Sequence, residues 1–243
     1  MPEEPTPPPP SEPPVPPAVP KQSRGLLNQA QLDALTKAEQ VVLAALKPPY
    51  AAKLTTGGIE GAFVLLVQTD CGLARKKGGD AVQGTTGKES ATATEAAAQK
   101  ALVKAIQTIQ SRARQKYFFA DPDALTAYYI GTDRIDANRA MLEQVSQAII
   151  DKLVTDTLPG VTAAQKTALA DLRQDYIGAN ADQTTAQSDA TTARTDLEAM
   201  LKSLTQRRMT VQFAADAEWP WHHPASTGVR KEFHLPPGQP FTG

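Results

Sequence analysis

The chain has 243 residues, 41% of them apolar, a net charge of −1 and a single cysteine. That length suits one large domain or two small ones, and one cysteine excludes both an intramolecular disulfide framework and a zinc site built on several thiolates. No run approaches the roughly 18–20 consecutive apolar residues of a membrane span, and a near-neutral charge gives no general case for binding nucleic acid or an anionic membrane.

The start, MPEEPTPPPP, carries acid and proline where a secretory signal would carry a basic residue and an apolar core. The expected location is therefore the cytoplasm. Of the 20 prolines, 11 fall between Pro2 and Pro20, five follow Trp219, and only Pro48, Pro49, Pro122 and Pro159 lie between. Residues 1–22 cannot form a helix, because proline lacks the backbone donor and clashes with the preceding turn. They read as a disordered proline-rich arm with polyproline II character. A PxxP frame at Pro7–Pro10 would suit a proline-binding groove, but its charged neighbours are Glu3, Glu4 and Glu12, which favours a spacer.

From Gly25 to Ala217 the vocabulary changes to Ala, Leu, Gln, Thr, Lys, Asp and Arg, with apolar positions at helical spacing. The first helix is expected over Leu26–Leu46, with Leu32, Leu35, Val42, Leu43 and Leu46 inward, and it stops at Pro48-Pro49. A second begins near Ile59 and shows Ile59, Phe63, Leu66 and Leu73 on one face. A third spans Lys88 to Phe118 and carries Ala98, Leu102, Ile106, Ile109 and Ala113. Asp121-Pro122 reads as an N-cap followed by proline in the first turn, opening a fourth helix through Leu125, Tyr129, Ile135, Leu142, Val145, Ile149 and Leu153 to Leu158. Pro159-Gly160 ends it, and Thr162 caps the next.

The fifth helix is the most regular segment. A seven-residue frame from Leu169 gives Leu169, Tyr176, Gln183, Ala190, Leu197, Leu204 and Val211, with companion positions Leu172, Ala179, Ala186, Ala193, Met200, Arg207 and Ala214. A sustained heptad means packing along the whole length at a shallow angle. Large residues sit at both ends of the frame and alanine fills the middle, so the waist should be narrow and weakly held. It is either a simple alanine-packed stretch or a hinge or cleft. Charge supports an antiparallel bundle: residues 88–118 carry an excess of about four positive charges and residues 121–157 about four negative. The basic segment thus has an internal partner.

Three segments are candidates for chemistry. The turn GGDAVQGTTGKES, Gly78 to Ser90, approaches a phosphate-binding loop, but Glu89 follows Gly87-Lys88, Val82 stands where the first glycine is required, and no strand precedes it. It reads as a polar loop at a bundle tip or a loosened helix. The histidines, His222, His223 and His234, lie in the last 22 residues and are the weak candidates for a transition metal. Cys71 sits beside Asp70 and before Arg75-Lys76-Lys77, where positive charge can lower a thiol pKa; lacking a histidine, it reads as structural. No catalytic residues, enzyme activity or cofactor can be assigned.

LPGVT (Leu158–Thr162) and the closing stretch QFAADAEWPW…GVRKEFHLPPGQPF (Gln212–Phe241) resemble segments of a family of uncharacterised bacterial helical-bundle proteins. The similarity extends from about residue 26 to the end and is most specific in the closing stretch. It implies helices with a short C-terminal tail and brings no activity or ligand.

The expected fold is all-α: an elongated up-down antiparallel bundle of four to five long helices over 23–217. A short irregular aromatic and proline tail, 218–243, docks on it through Trp219, Trp221, Phe233 and Phe241. The expected function is a non-enzymatic scaffold or protein-interaction module whose partner is another protein or another copy of the chain, with neither nucleic acid nor membrane expected. Two alternatives come from other classes. One is a pore-forming membrane-acting protein, suggested by the long helices and the apolar patch Ala62 to Val67. The other is a small-molecule or metal-binding bundle using the tail histidines.

Overall fold

A computed structural model describes residues 27–131, 134–136 and 138–243; the proline-rich arm lies outside the described residues. Among the described residues the chain is all-α, without strands. The helices are α1 (Gln29–Ala45), α2 (Pro48–Thr56), α3 (Gly61–Tyr117), α4 (Arg139–Thr155), α5 (Ala163–Glu218) and α6 (Thr227–Glu232), with 3-10 turns at Pro122–Tyr128 and Pro224–Ser226.

Side chains define the helix starts. Asn28 and Gln31 form a capping box at α1, Thr162 and Gln165 form another at α5, and the Asn138 side chain accepts from the Met141 N–H at α4. Pro48 and Pro49 do more than end the first helix. They occupy the first positions of α2, where a missing N–H costs nothing.

The frame is an antiparallel pair, α3 of 57 residues and α5 of 56. Each is about 85 Å long at about 1.5 Å per residue. Cross-links tie the proximal half of the pair: Arg207 pairs with Asp70, Lys77 Nζ lies 2.7 Å from Asp196 Oδ2, and Arg194 donates to Thr85 Oγ1 at 3.1 Å. All seven residues of the Leu169 frame of α5 are buried. α3 answers with its own frame, Val64, Val67, Cys71, Ala74, Gly78, Ala81 and Thr85, also buried.

Two apolar cores form at opposite ends of this pair. The proximal core joins α1, α2, the first third of α3, the last third of α5 and the tail. The distal core joins the last third of α3, the 3-10 turn at Tyr128, α4 and the start of α5. Between them lies the waist, about residues 82–97 of α3 and 177–196 of α5. Its buried positions are Thr85, Glu95, Ala179, Gln183 and Ala190, which belong to neither core. Gly84 lets the backbones approach here: a Cβ added to it would sit 3.2 Å from Ala190 Cα.

Three expectations need correction. The glycine-rich stretch Gly78–Ser90 is not a loop at a bundle tip but, as the other reading of it had it, helix, since α3 runs through it without interruption. The expected second and third helices are therefore one. The expected fourth helix is broken. Its first part is a 3-10 turn capped by Tyr129 in the left-handed region at φ 55°, Gly131 follows at φ 87°, and a new helix starts after Asn138. That break reverses the direction of α4. Arg139, at its start, pairs with Glu95 at 2.5 Å near the waist, and Asp156, at its end, pairs with Lys116 at 2.6 Å at the tip. Hence α4 runs parallel to α3, and the opposite charges of the two segments meet in that sense. Finally, Leu32 and Leu43 of α1 are exposed, and the inward positions are Leu35, Ala38, Val41, Val42, Ala44 and Ala45.

Candidate functional site

Farther along α3 Leu102, Ile106 and Ile109 enter the distal core, but over its first half the inner face is built from small residues and valine, because the close seam with α5 has no room for larger ones. The large residues are on the other side. Leu65, Leu66 and Leu73 are 53%, 44% and 43% exposed, so Leu66 and Leu73, read from the sequence as sharing a face with Ile59 and Phe63, point away from the core. Ile59 is buried and Phe63 half-buried. At a spacing of three and four, Ala62, Leu66, Thr69 and Leu73 form a second stripe, all of it exposed. The helix is apolar on two sides, and among the described residues only one of them is covered. The distal tip adds a smaller apolar surface: Phe118 and Phe119 meet edge to face at 4.9 Å, and Phe119 is 96% exposed.

The tail folds on the proximal end around aromatic rings and one cation. Trp219 and Phe233 are buried and stacked at 5.5 Å, and Tyr50 of α2 contacts both, at 5.4 and 5.8 Å. Phe241 is half-buried against Phe213 at 5.0 Å. Trp221 is exposed and touches His222 edge-on at 5.6 Å. Arg230, 0% exposed, holds the turns together. It donates to the carbonyls of Trp219 at 2.7 Å, Pro236 at 2.9 and 3.1 Å and Gln239 at 3.0 Å. Asp216 Oδ1 lies 2.6 Å from Nη1, an ionic contact without hydrogen-bond alignment.

The distal core is organised by a carboxylate. Asp156 accepts from Lys116 Nζ and Tyr117 Oη, each at 2.6 Å, and from Tyr128 Oη at 2.5 Å. Burial alone would raise its pKa, but these three donors outweigh burial and hold the carboxyl well below the usual range. Tyr128 is pushed far above the ordinary phenol value by burial and then by Asp156.

The remaining candidates resolve into structure. Cys71 is a buried seam residue whose thiol is pushed up to about 11 by burial and by Glu39 and Asp70, so it is protonated at neutral pH. The Gly78–Ser90 stretch spends its backbone N–H groups on the helix and offers none to a phosphate. His222 and His223 face each other at 5.1 Å. Among the described residues, no three His, Cys, Asp or Glu side chains gather as a metal site would require, and no helix is long and apolar enough to cross a membrane. Sequence reasoning missed the outer stripe of α3, Arg230 and Asp156. Only the first left a signal there, as leucines in excess of one helical face. No protein family, curated protein or solved structure matches this chain.

Proposed function

We propose that the chain is a non-enzymatic helical scaffold whose outer α3 stripe receives another protein or a second copy of itself. The observation that carries this reading is the inversion on α3, with small residues turned to the core and Leu65, Leu66 and Leu73 turned to solvent. A cluster of exposed leucines costs solubility and contributes nothing to this chain's own core, which is the pattern of a surface meant to be covered. A long rigid pair of helices presents that surface without rearrangement.

The test is a cross-linking pull-down from the native host lysate, run in parallel with wild-type chain and Leu66→Glu/Leu73→Glu. Both substitutions are at exposed positions, so the variant should keep its helical circular dichroism. Capture of the same protein, or of the chain's own copy, by wild type and its loss from the variant support the reading. Equal capture by both, or no capture by wild type, contradicts it.

A further inference from the structure

At the proximal end the tail closes one side of a groove of about 680 Å³, within the roughly 300–1,000 Å³ of small-molecule sites. Lys37 of α1 and Lys231 of α6 reach it from two helices, with His234, Gln239 and Thr227 beside them, while Leu235, Pro236, Pro237 and Phe241 supply an apolar wall. Among the described residues no acidic side chain lines it.

We propose that this groove binds a small organic oxyanion, its charged head between Lys37 and Lys231 and its apolar body against the prolines and Phe241.

Four observations converge on it. First, the cations of the groove are unanswered: among the described residues neither Lys37 nor Lys231 has an ion pair. At the same end Lys47 is answered by Glu232 at 2.6 Å and Lys53 by the Glu218 carbonyl at 2.8 Å.

Second, the groups oppose one another. Burial and then Arg208 lower the Lys37 pKa, burial lowers that of Arg208, and burial followed by Lys37 and Arg208 lowers that of His234. An anion in the groove would oppose the part of the Lys37 and His234 shifts that comes from neighbouring positive charge.

Third, the wall is fixed in place. His234 sits in the left-handed region at φ 53°, a conformation that is strained for a non-glycine residue. It is held there by its N–H to the Lys231 carbonyl at 3.1 Å and by the Leu235 N–H to the Arg230 carbonyl at 2.9 Å. Fourth, buried Arg230 ties Pro236 and Gln239 to the helices, so the groove exists before any ligand arrives.

The site stands apart from the outer α3 stripe, so either proposal can fail alone. The probes are inorganic phosphate, phenyl phosphate and benzoate, each against sodium chloride of equal ionic strength, with the full chain. Phosphate at millimolar concentration should raise the melting midpoint above the chloride control, and phenyl phosphate or benzoate should bind at least about fivefold more tightly than phosphate, because each adds a ring to the apolar wall. Which of those two does so assigns the head group as phosphate or carboxylate.

Lys37→Gln/Lys231→Gln should lose these shifts while keeping its helical content. Should that variant melt early, the His234 imidazole of wild type, followed by proton NMR, gives the same answer: its pKa must rise when the anion is present. A phosphate response no larger than chloride, an equal response in the double variant, or an unmoved His234 titration overturns the proposal.

Discussion

The two ends of the rod meet one problem with opposite charges. Each must fold an irregular segment back onto a helix pair, and each leaves polar groups buried in doing so. At the proximal end Arg230 gathers the carbonyls of Trp219, Pro236 and Gln239. At the distal end Asp156 gathers an ammonium and two phenols. A cation suits turns whose free groups are carbonyls, and an anion suits a place where long donor side chains converge. The waist has neither device. It is held by the close approach of Gly84 to Ala190, by the contact of Arg194 with Thr85 and by the salt bridge of Arg139 with Glu95.

The comparison can be broken first at the proximal end. Arg230→Ala leaves several buried carbonyls and Asp216 without their partner, and should cost about 3–5 kcal/mol in chemical denaturation. Phe233→Ala and Trp219→Ala should each cost a similar amount, about 3–5 kcal/mol, by emptying the ring stack. If all three variants unfold like wild type, the tail is not part of the folded body.

The distal end should respond less, and to acid. Asp156→Asn replaces charge-assisted hydrogen bonds with neutral ones and should cost about 2–3 kcal/mol at pH 7. Because the folded carboxyl has a lowered pKa, the folded state binds fewer protons than the unfolded one, whose value is about 3.9. Its contribution is therefore present above about pH 4 and is lost as pH falls below that. A melting series from pH 7 to pH 2 should show a drop below pH 4 that is shallower in Asp156→Asn. Parallel curves for the two proteins would remove Asp156 from this role.

The smallest effects separate two glycines three residues apart. Gly87 has open space at its Cβ position, so Gly87→Ala should stabilise by about 1 kcal/mol through helix propensity. Gly84→Ala makes the same propensity gain but presses on the Ala190 backbone, which cannot rotate away, and should be neutral or destabilising. Stabilisation of equal size at both positions would mean that the helices are not in close contact at the waist.

The long α5 helix was legible, since its seven-residue repeat and the Thr162 cap are local patterns; every residue of the Leu169 frame is buried, whereas of the companion positions only Ala179 is and the rest are half-buried. Other features were not, for physical reasons. Gly78, Gly79, Gly84 and Gly87 each disfavour a helix by about 1 kcal/mol, yet packing along α5 outweighs that sum, and this packing is tertiary. The inward face of α3 was misread because size usually marks the core; here a close seam selects Val, Cys, Ala and Gly, and the leucines are left outside. The break before α4 carried only weak signs, Gly131 and Asn138, inside an otherwise continuous helical period. Arg230 stands in the run GVRKEFHL among surface-like charges, and nothing nearby in sequence reveals that its partners are carbonyls brought in by later turns. Asp156 draws its donors from 28 to 40 residues away.

The central structural claim is that two separately stapled bodies flank a thin waist, and native-state hydrogen exchange on the full chain tests it most directly. Amides of residues 82–97 and 177–196 should exchange at least about tenfold faster than those of the proximal and distal cores, a difference of about 1.4 kcal/mol in opening free energy. Uniform protection along α3 and α5, or slowest exchange at the waist, would contradict it.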